Sequence, residues 1–218
     1  MPRHLLILVV IAMTACSRPT TEAEYDPKTG RLQKLVFDYT RNGRNETTSY
    51  MDGTRIIRVE LDLDENGHAE RWDFYGHDRR IAKVGLASRN DGVMDSQAYY
   101  AADGTVARIE ISSRRDGVFD RTEFYERGTL VRSQDDANRD GRPDKWDTYE
   151  LRHDVPAGEP PFAIIATAFD DSGNGRPERR FVYGARGAIV RVEIDPDGDG
   201  TWDTMTLTAA TPSVVTRR

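Results

Sequence analysis
The sequence predicts an all-β protein, an antiparallel meander of about seven β-hairpin repeats with about 14 short strands taken in chain order. Three observations predict it. Asn or Asp followed by Gly recurs at Gly43, Gly67, Gly92, Gly117, Gly141, Gly175 and Gly200, with spacings of 24, 25, 25, 24, 34 and 25 residues. An acid stands three residues after each of these glycines, at Glu46, Glu70, Asp95, Asp120, Asp144, Glu178 and Asp203. With acids at 37 of 218 positions, seven hits in seven arise by chance roughly a few times in a million, so the period is a repeat. Between the glycines, apolar residues alternate with period two, the mark of strands rather than helices.

Residues 1–15 read as an export signal. Arg3 supplies positive charge, Leu5 to Met13 is an apolar run too short for a ~30 Å hydrocarbon core, and Thr14, Ala15 and Cys16 follow. The four residues Met13, Thr14, Ala15 and Cys16 resemble the cleavage box of bacterial lipoproteins, which ends in Cys. The resemblance implies that Cys16, the only cysteine, becomes the acylated first residue of the mature chain, and that Ser17 after it directs the protein to the outer membrane. Two or three acyl chains anchor stably where one does not. The membrane is therefore an expected partner, through the lipid anchor, and the bacterial cell envelope the expected location. Residues 16–24 combine the lipidated Cys with a polar tether too poor in apolar groups to pack.

The repeat domain spans 25–208, opening on a half-unit at Tyr25 to Leu32. Strand one of each unit places its apolar positions five and seven residues after the Gly, as in Trp72 and Phe74 or Trp146 and Thr148, with Arg71 and Asp73 or Lys145 and Asp147 between. Strand two alternates likewise in Ile57-Val59-Leu61, Ala107-Ile109-Ile111 and Val190-Val192-Ile194. Turn pairs such as Asp52-Gly53 and Asp103-Gly104 join the two strands. Alternation of this kind makes one sheet face apolar and the other charged, with Arg and Lys opposite Asp and Glu on neighbouring strands. An apolar face needs a cover and no helix supplies one, so the sheet is expected to curl into a barrel, sandwich or small propeller. A single-layer extended sheet, each unit touching only its neighbours, is the alternative. One unit is ten residues longer than its neighbours, with a Pro-rich insertion over Leu151 to Pro161 replacing a hairpin turn. Residues 209–218 are a C-terminal tail.

The loops between units carry the candidate chemistry. In the last, Asp195, Asp197, Asp199 and Asp203 occupy positions 1, 3, 5 and 9, with Gly200 at position 6. Alternate side chains of a tight turn converge, and hard oxygen donors suit Ca²⁺. The pattern resembles the D-x-D-x-D-G-x-x-D calcium loop of EF-hands, dockerins and thrombospondin type 3 repeats. That resemblance implies a structural calcium ion held by Asp195, Asp197, Asp199, Asp203 and the position-7 carbonyl of Thr201. It carries over to Asp62, Asp64, Asn66, Glu70 and His68; to Asp136, Asn138, Asp140, Asp144 and Arg142; and to Asp170, Ser172, Asn174, Glu178 and Arg176. Asp38, Thr40, Asn42 and Glu46 match less well. Around Gly92 and Gly117, position 1 is Ala87 or Ser112 and position 3 is Arg89 or Arg114, so those loops are expected to bind no metal, their own guanidinium neutralising the remaining acids. Four sites half-saturated near 0.1 mM would add about 5–6 kcal/mol at millimolar calcium.

Nothing in the sequence singles out catalysis. There is no nucleophile elbow, zinc-protease helix or phosphate loop, and no His pair at ligand spacing. With 37 acids against 31 bases and net charge −6, nucleic acid is not an expected partner. One Cys excludes a disulfide framework. The expected function is a calcium-stabilised structural or binding module of the envelope, with no enzymatic activity and a protein or polysaccharide ligand. Its alternatives are a propeller-type hydrolase acting on envelope polysaccharide, or a partner-binding subunit using the 151–161 insertion. A Tyr-Asp…Gly-Arg-Leu element at Tyr25, Asp26, Gly30, Arg31 and Leu32 also resembles YD-type and MORN-like surface repeats, and brings no activity with it.

Overall fold
The computed structural model describes residues 20–205, apart from 154, 156–157, 159–160 and 185–186. The signal, Cys16 and the C-terminal tail lie outside the described residues. Fifteen antiparallel strands run in strict chain order through one sheet. They are β1 Thr21–Tyr25, β2 Leu32–Phe37, β3 Thr47–Asp52, β4 Arg55–Leu61, β5 Arg71–Tyr75, β6 Ile81–Leu86, β7 Ser96–Tyr100 and β8 Val106–Ile111. The remainder are β9 Arg121–Glu126, β10 Thr129–Asp135, β11 Lys145–Leu151, β12 Phe162–Phe169, β13 Arg179–Tyr183, β14 Ile189–Ile194 and β15 Asp203–Met205. Each strand packs on its chain neighbours, and β1 and β15 do not pair with each other. The sheet is the open single layer and not the closed barrel, sandwich or propeller.

The reason is register. Strand by strand the alternation is as expected, but adjacent strands are out of phase. Arg58 faces Phe74, Val59 faces Asp73 and Glu60 faces Trp72; Arg108 faces Phe124 and Ile109 faces Glu123. Neither face is therefore apolar, and neither needs a cover. All seven hairpins carry a one-residue register shift near the turn, for example between Tyr50 and Met51 or Phe74 and Tyr75. One extra residue flips which side chains share a face. Without that shift Tyr50 would face Ile57, and the apolar sets would coincide on the one face that the alternation predicts.

One face consequently carries a row that alternates cation and ring: Lys34, Tyr50, Arg58, Phe74, Lys83, Tyr99, Arg108, Phe124 and Arg132. Arg58 lies 4.1 Å from the Tyr50 ring centre, Lys83 4.2 Å from Phe74, Arg108 4.1 Å from Tyr99 and Arg132 3.9 Å from Phe124. Contacts of this kind contribute about 0.5–1 kcal/mol each where partly exposed. The charge ladder also differs from expectation. Six ion pairs among the described residues join positions two apart on one strand, as Arg58 with Glu60, Arg71 with Asp73 and Arg191 with Glu193, while Arg121 with Asp135 crosses between strands.

Buried apolar side chains among the described residues are few, namely Val84, Ala87, Leu130 and Ala168. The deepest positions are polar instead. Ser133, Asp147 and Thr167 are opposite one another on β10, β11 and β12. Asp147 is 2% exposed and accepts hydrogen bonds from Lys145 Nζ and Thr167 Oγ1, both at 2.7 Å. The polar tether is shorter than expected, because Thr21–Tyr25 is paired with β2. All five of its side chains are exposed, so backbone hydrogen bonds alone hold it.

Candidate metal centre
The seven loops, 38–46, 62–70, 87–95, 112–120, 136–144, 170–178 and 195–203, share one backbone course. Position 4 is left-handed in each, at Arg41, Glu65, Asn90, Arg115, Arg139, Gly173 and Gly198, with φ between 54° and 75°. Position 6 is always Gly, with φ between 77° and 90°. Non-Gly residues reach φ of about +50 to +70°, which explains why position 4 admits several residue types and position 6 only one.

This course turns backbone N–H groups onto the loop acids. Asp62 Oδ1 and Oδ2 accept from the N–H of Asn66 (3.1 Å) and Gly67 (2.9 Å), and Asp136 accepts from Asp140 and Gly141 in the same way. The position-9 acid accepts from positions 2 and 3 in four loops, as Glu46 does from Tyr39 (2.8 Å) and Thr40 (2.9 Å), and Asp95 and Asp120 accept from position 2. The position-5 side chain accepts from the N–H of position 7 in all seven loops. Acids at positions 1 and 9 therefore have a structural task even without a metal ion. This is why Asp95 and Asp120 stand in loops that lack a position-1 acid.

Carboxylates still converge in two loops. Asp62, Asp64 and Glu70 each bring an oxygen within 4.8 Å of the others, and so do Asp195, Asp197 and Asp199. Asp203 begins β15, is exposed and stands outside the second group. Asp195 is 3% exposed; its Oδ2 accepts from Gly200 N–H at 2.9 Å, while its buried Oδ1 has no hydrogen-bond partner among the described residues. Three carboxylates with one buried, unsatisfied oxygen fit a hard divalent cation such as Ca²⁺. The 62–70 group is instead partly occupied by protein donors, with Asn66 Nδ2 and Asn90 Nδ2 on Asp64 Oδ2 at 3.1 and 3.0 Å.

Two other expected sites assemble differently. Asn138 turns its amide donors onto Asp144 (2.9 Å) and Asp140 (3.3 Å), and Ser172 and Asn174 donate to Glu178 at 2.5 and 2.7 Å. Neither loop forms a group of three carboxylates among the described residues. The position-7 residues serve the next loop with their side chains. Arg142 Nη1 and Arg176 Nη1 reach the carbonyls of Gly173 and Gly198, and His68 lies so near Gly92 that a Cβ there would sit 3.2 Å from its Nδ1. The acids at position 12, Asp73 and Asp147, face away into ion pairs with Arg71 and Lys145.

The 112–120 loop is neutralised, but not by its own Arg114. Arg139, from the following loop, sends Nη1 to Asp116 and Nη2 to Asp120, both at 2.6 Å, and Nε to Asp120 at 3.1 Å. Neither Arg89 nor Arg114 forms an ion pair among the described residues. No sequence periodicity flags this contact, because it joins residues 19 and 23 apart through a left-handed backbone position.

An open cleft of about 460 Å³ lies between the first two loops, with Glu46, Glu60, Asp62 and Glu65 on its walls. Burial pushes the Glu46 carboxyl up, but the Thr40 and Tyr39 N–H groups outweigh it and hold the group at about 2. A general acid at neutral pH needs the opposite shift. Arg139 holds Asp116 well below the usual carboxylate range, and the Gly175, Gly173 and Asn174 N–H groups lower Asp170 against the upward push of its burial. A depressed folded-state value stabilises the fold above the unfolded value and loses that contribution as pH falls. In chelator, melting temperature is expected to be level above pH 5 and to fall steadily from pH 4.5 towards 2, as thermal scans across that range would show.

No protein-family model matches the chain, and no curated protein does. Among solved structures it overlaps the GtfA/B complex at 19% identity over 54% of this chain and 22% of that one, with a TM-score of 0.37. It overlaps the pneumococcal O-GlcNAc transferase GtfA, solved with UDP and GlcNAc, at 10% identity over 56% of this chain and 17% of that one (TM-score 0.30). The third is accessory secretory protein 1,2 and 3 in Streptococcus pneumoniae, at 11% identity over 69% and 19% (TM-score 0.24). This chain spans about a fifth of each of those chains, and no activity or partner is carried over from them.

Proposed function
We propose that this protein is an envelope-anchored lipoprotein whose hairpin ladder is a calcium-stabilised structural or binding module. The buried, unsatisfied Asp195 Oδ1 beside Asp197 and Asp199 is the observation that supports the ion. The anchor rests on the apolar run and Cys16. Since only two loops among the described residues gather three carboxylates, the ion's contribution is smaller than four sites would give. One site with a Kd of ~0.1 mM contributes about 1.4 kcal/mol at about 1 mM calcium, or a melting shift of roughly 3–6 °C. The test uses the wild type and Cys16→Ser in a bacterial host. The wild type is expected to take up labelled palmitate and sediment with membranes, and the variant to do neither. The purified variant should melt higher in calcium than in chelator; a difference below about two degrees would argue against structural metal.

A second reading, partner binding beside the insertion, is favoured by four exposed apolar residues on the strands there. Leu151, Ile164, Ile189 and Val190 are 42, 41, 45 and 61% exposed.

A further inference from the structure
Three loops, 38–46, 62–70 and 112–120, are completed by the one after them, whose left-handed position 4 aims its residue back at the preceding ring. Glu65 accepts from Thr40 Oγ1 at 3.1 Å and from Asn42, Asn90 donates to Asp64, and Arg139 forks across Asp116 and Asp120. In loops 170–178 and 195–203 that position is Gly173 and Gly198, which offer no side chain to the ring before them.

We propose that Arg139 is the resident cation of the 112–120 loop, standing where other loops would place a metal ion, and that the 195–203 loop holds a divalent cation. The first half rests on geometry. A guanidinium that is 16% exposed joins the position-5 and position-9 carboxylates of one ring, as a bridging ion would. An ordinary surface pair would join one carboxylate and remain solvated. The second half rests on Asp195 Oδ1, a buried oxygen that no donor among the described residues reaches, in a ring with carboxylates at positions 1, 3 and 5. The ring at 136–144 carries acids at three positions but fills its centre with the Asn138 amide. This second half rests on the calcium reading above; the first does not.

The experiment measures calcium stoichiometry by equilibrium dialysis, and melting temperature in calcium, magnesium and chelator. It compares the Cys16→Ser protein with versions that also carry Asp195→Asn or Arg139→Gly. Glycine is accepted at position 4, as Gly173 and Gly198 show, so Arg139→Gly leaves the loop course intact; Arg139→Gln serves as a second variant should it fail to fold. Asp195→Asn is expected to lose one bound calcium per chain. Arg139→Gly is expected to melt lower in chelator, to gain one calcium per chain at about 10 mM, and to recover most of its lost melting temperature there but not in magnesium. An Asp195→Asn protein that binds as much calcium as its parent overturns the 195–203 site. An Arg139→Gly protein with unchanged stoichiometry, whose loss is equal in calcium and chelator, overturns the resident cation. If the parent binds no calcium, the module reading fails together with the 195–203 site, while the gain in Arg139→Gly still decides the other half.

Discussion

Replacing Asp147 by Ala is expected to lower stability by about 3 kcal/mol, or about 6–12 °C in melting temperature. The side chain is 2% exposed and lies between Ser133 and Thr167 on the most deeply buried row of the sheet. Its removal strands the Thr167 hydroxyl, which is 4% exposed at the residue level, and deprives Lys145 of its 2.7 Å partner. The cost comes mainly from the abandoned donors, so removing both members should hurt less than the sum. Asp147→Val combined with Thr167→Val is expected to recover part of the loss, because a pair of apolar groups leaves nothing unsatisfied. Thermal melts of the two single variants and the double variant provide the cycle. In a ladder of nearest-neighbour contacts the damage should also be local. Hydrogen exchange is expected to accelerate in β10 to β12 well before β3 to β5, and uniform acceleration would contradict the nearest-neighbour picture.

The second large effect belongs to Gly141. Its φ is +89°, beyond the range a side-chain-bearing residue occupies easily, and its N–H donates to Asp136 Oδ2 at 2.9 Å. No atom crowds the space a Cβ would take, so the cost of Gly141→Val is conformational alone, about 2–3 kcal/mol. Gly198, two residues earlier in the same loop course and with φ +69°, supplies the contrast. Asparagine tolerates that backbone, and Gly198→Asn is expected to stay within about 0.5 kcal/mol of the parent. Equal destabilisation by both changes in denaturant titrations would refute the distinction between the two positions.

Much of this was legible in the residues. The Gly and acid period located all seven loops, and Tyr75, Tyr100, Tyr125, Tyr149 and Tyr183 mark the recurring turn end of strand one. What stayed hidden was the phase between strands. Consecutive apolar pairs in otherwise alternating strands, Ile56-Ile57, Leu130-Val131, Ile164-Ile165 and Ile189-Val190, sit at or beside the register shifts, and were the available signal. β1 was missed because Thr21–Tyr25 buries nothing, and an edge strand held by its backbone leaves no mark on hydropathy. In the loops, oxygen spacing identified groups able to face a common centre, yet it cannot separate a carboxylate that awaits an ion from one that already accepts an N–H. Asp136 and Asp195 occupy the same position, and only Asp195 keeps an oxygen to spare.

The alternation of ring and cation along the sheet has a period of two strands, and this restricts how such a molecule can change length. Excising β5 and β6 together would bring Arg58 beside Tyr99, which restores the contact it now makes with Phe74. Excising β5 alone would set Arg58 against Lys83, like charge on like charge, and break the alternation at that junction. Growth and shrinkage by duplication or deletion are therefore quantised in whole hairpins, and a library of shortened chains should yield soluble protein at even strand losses and aggregates at odd ones.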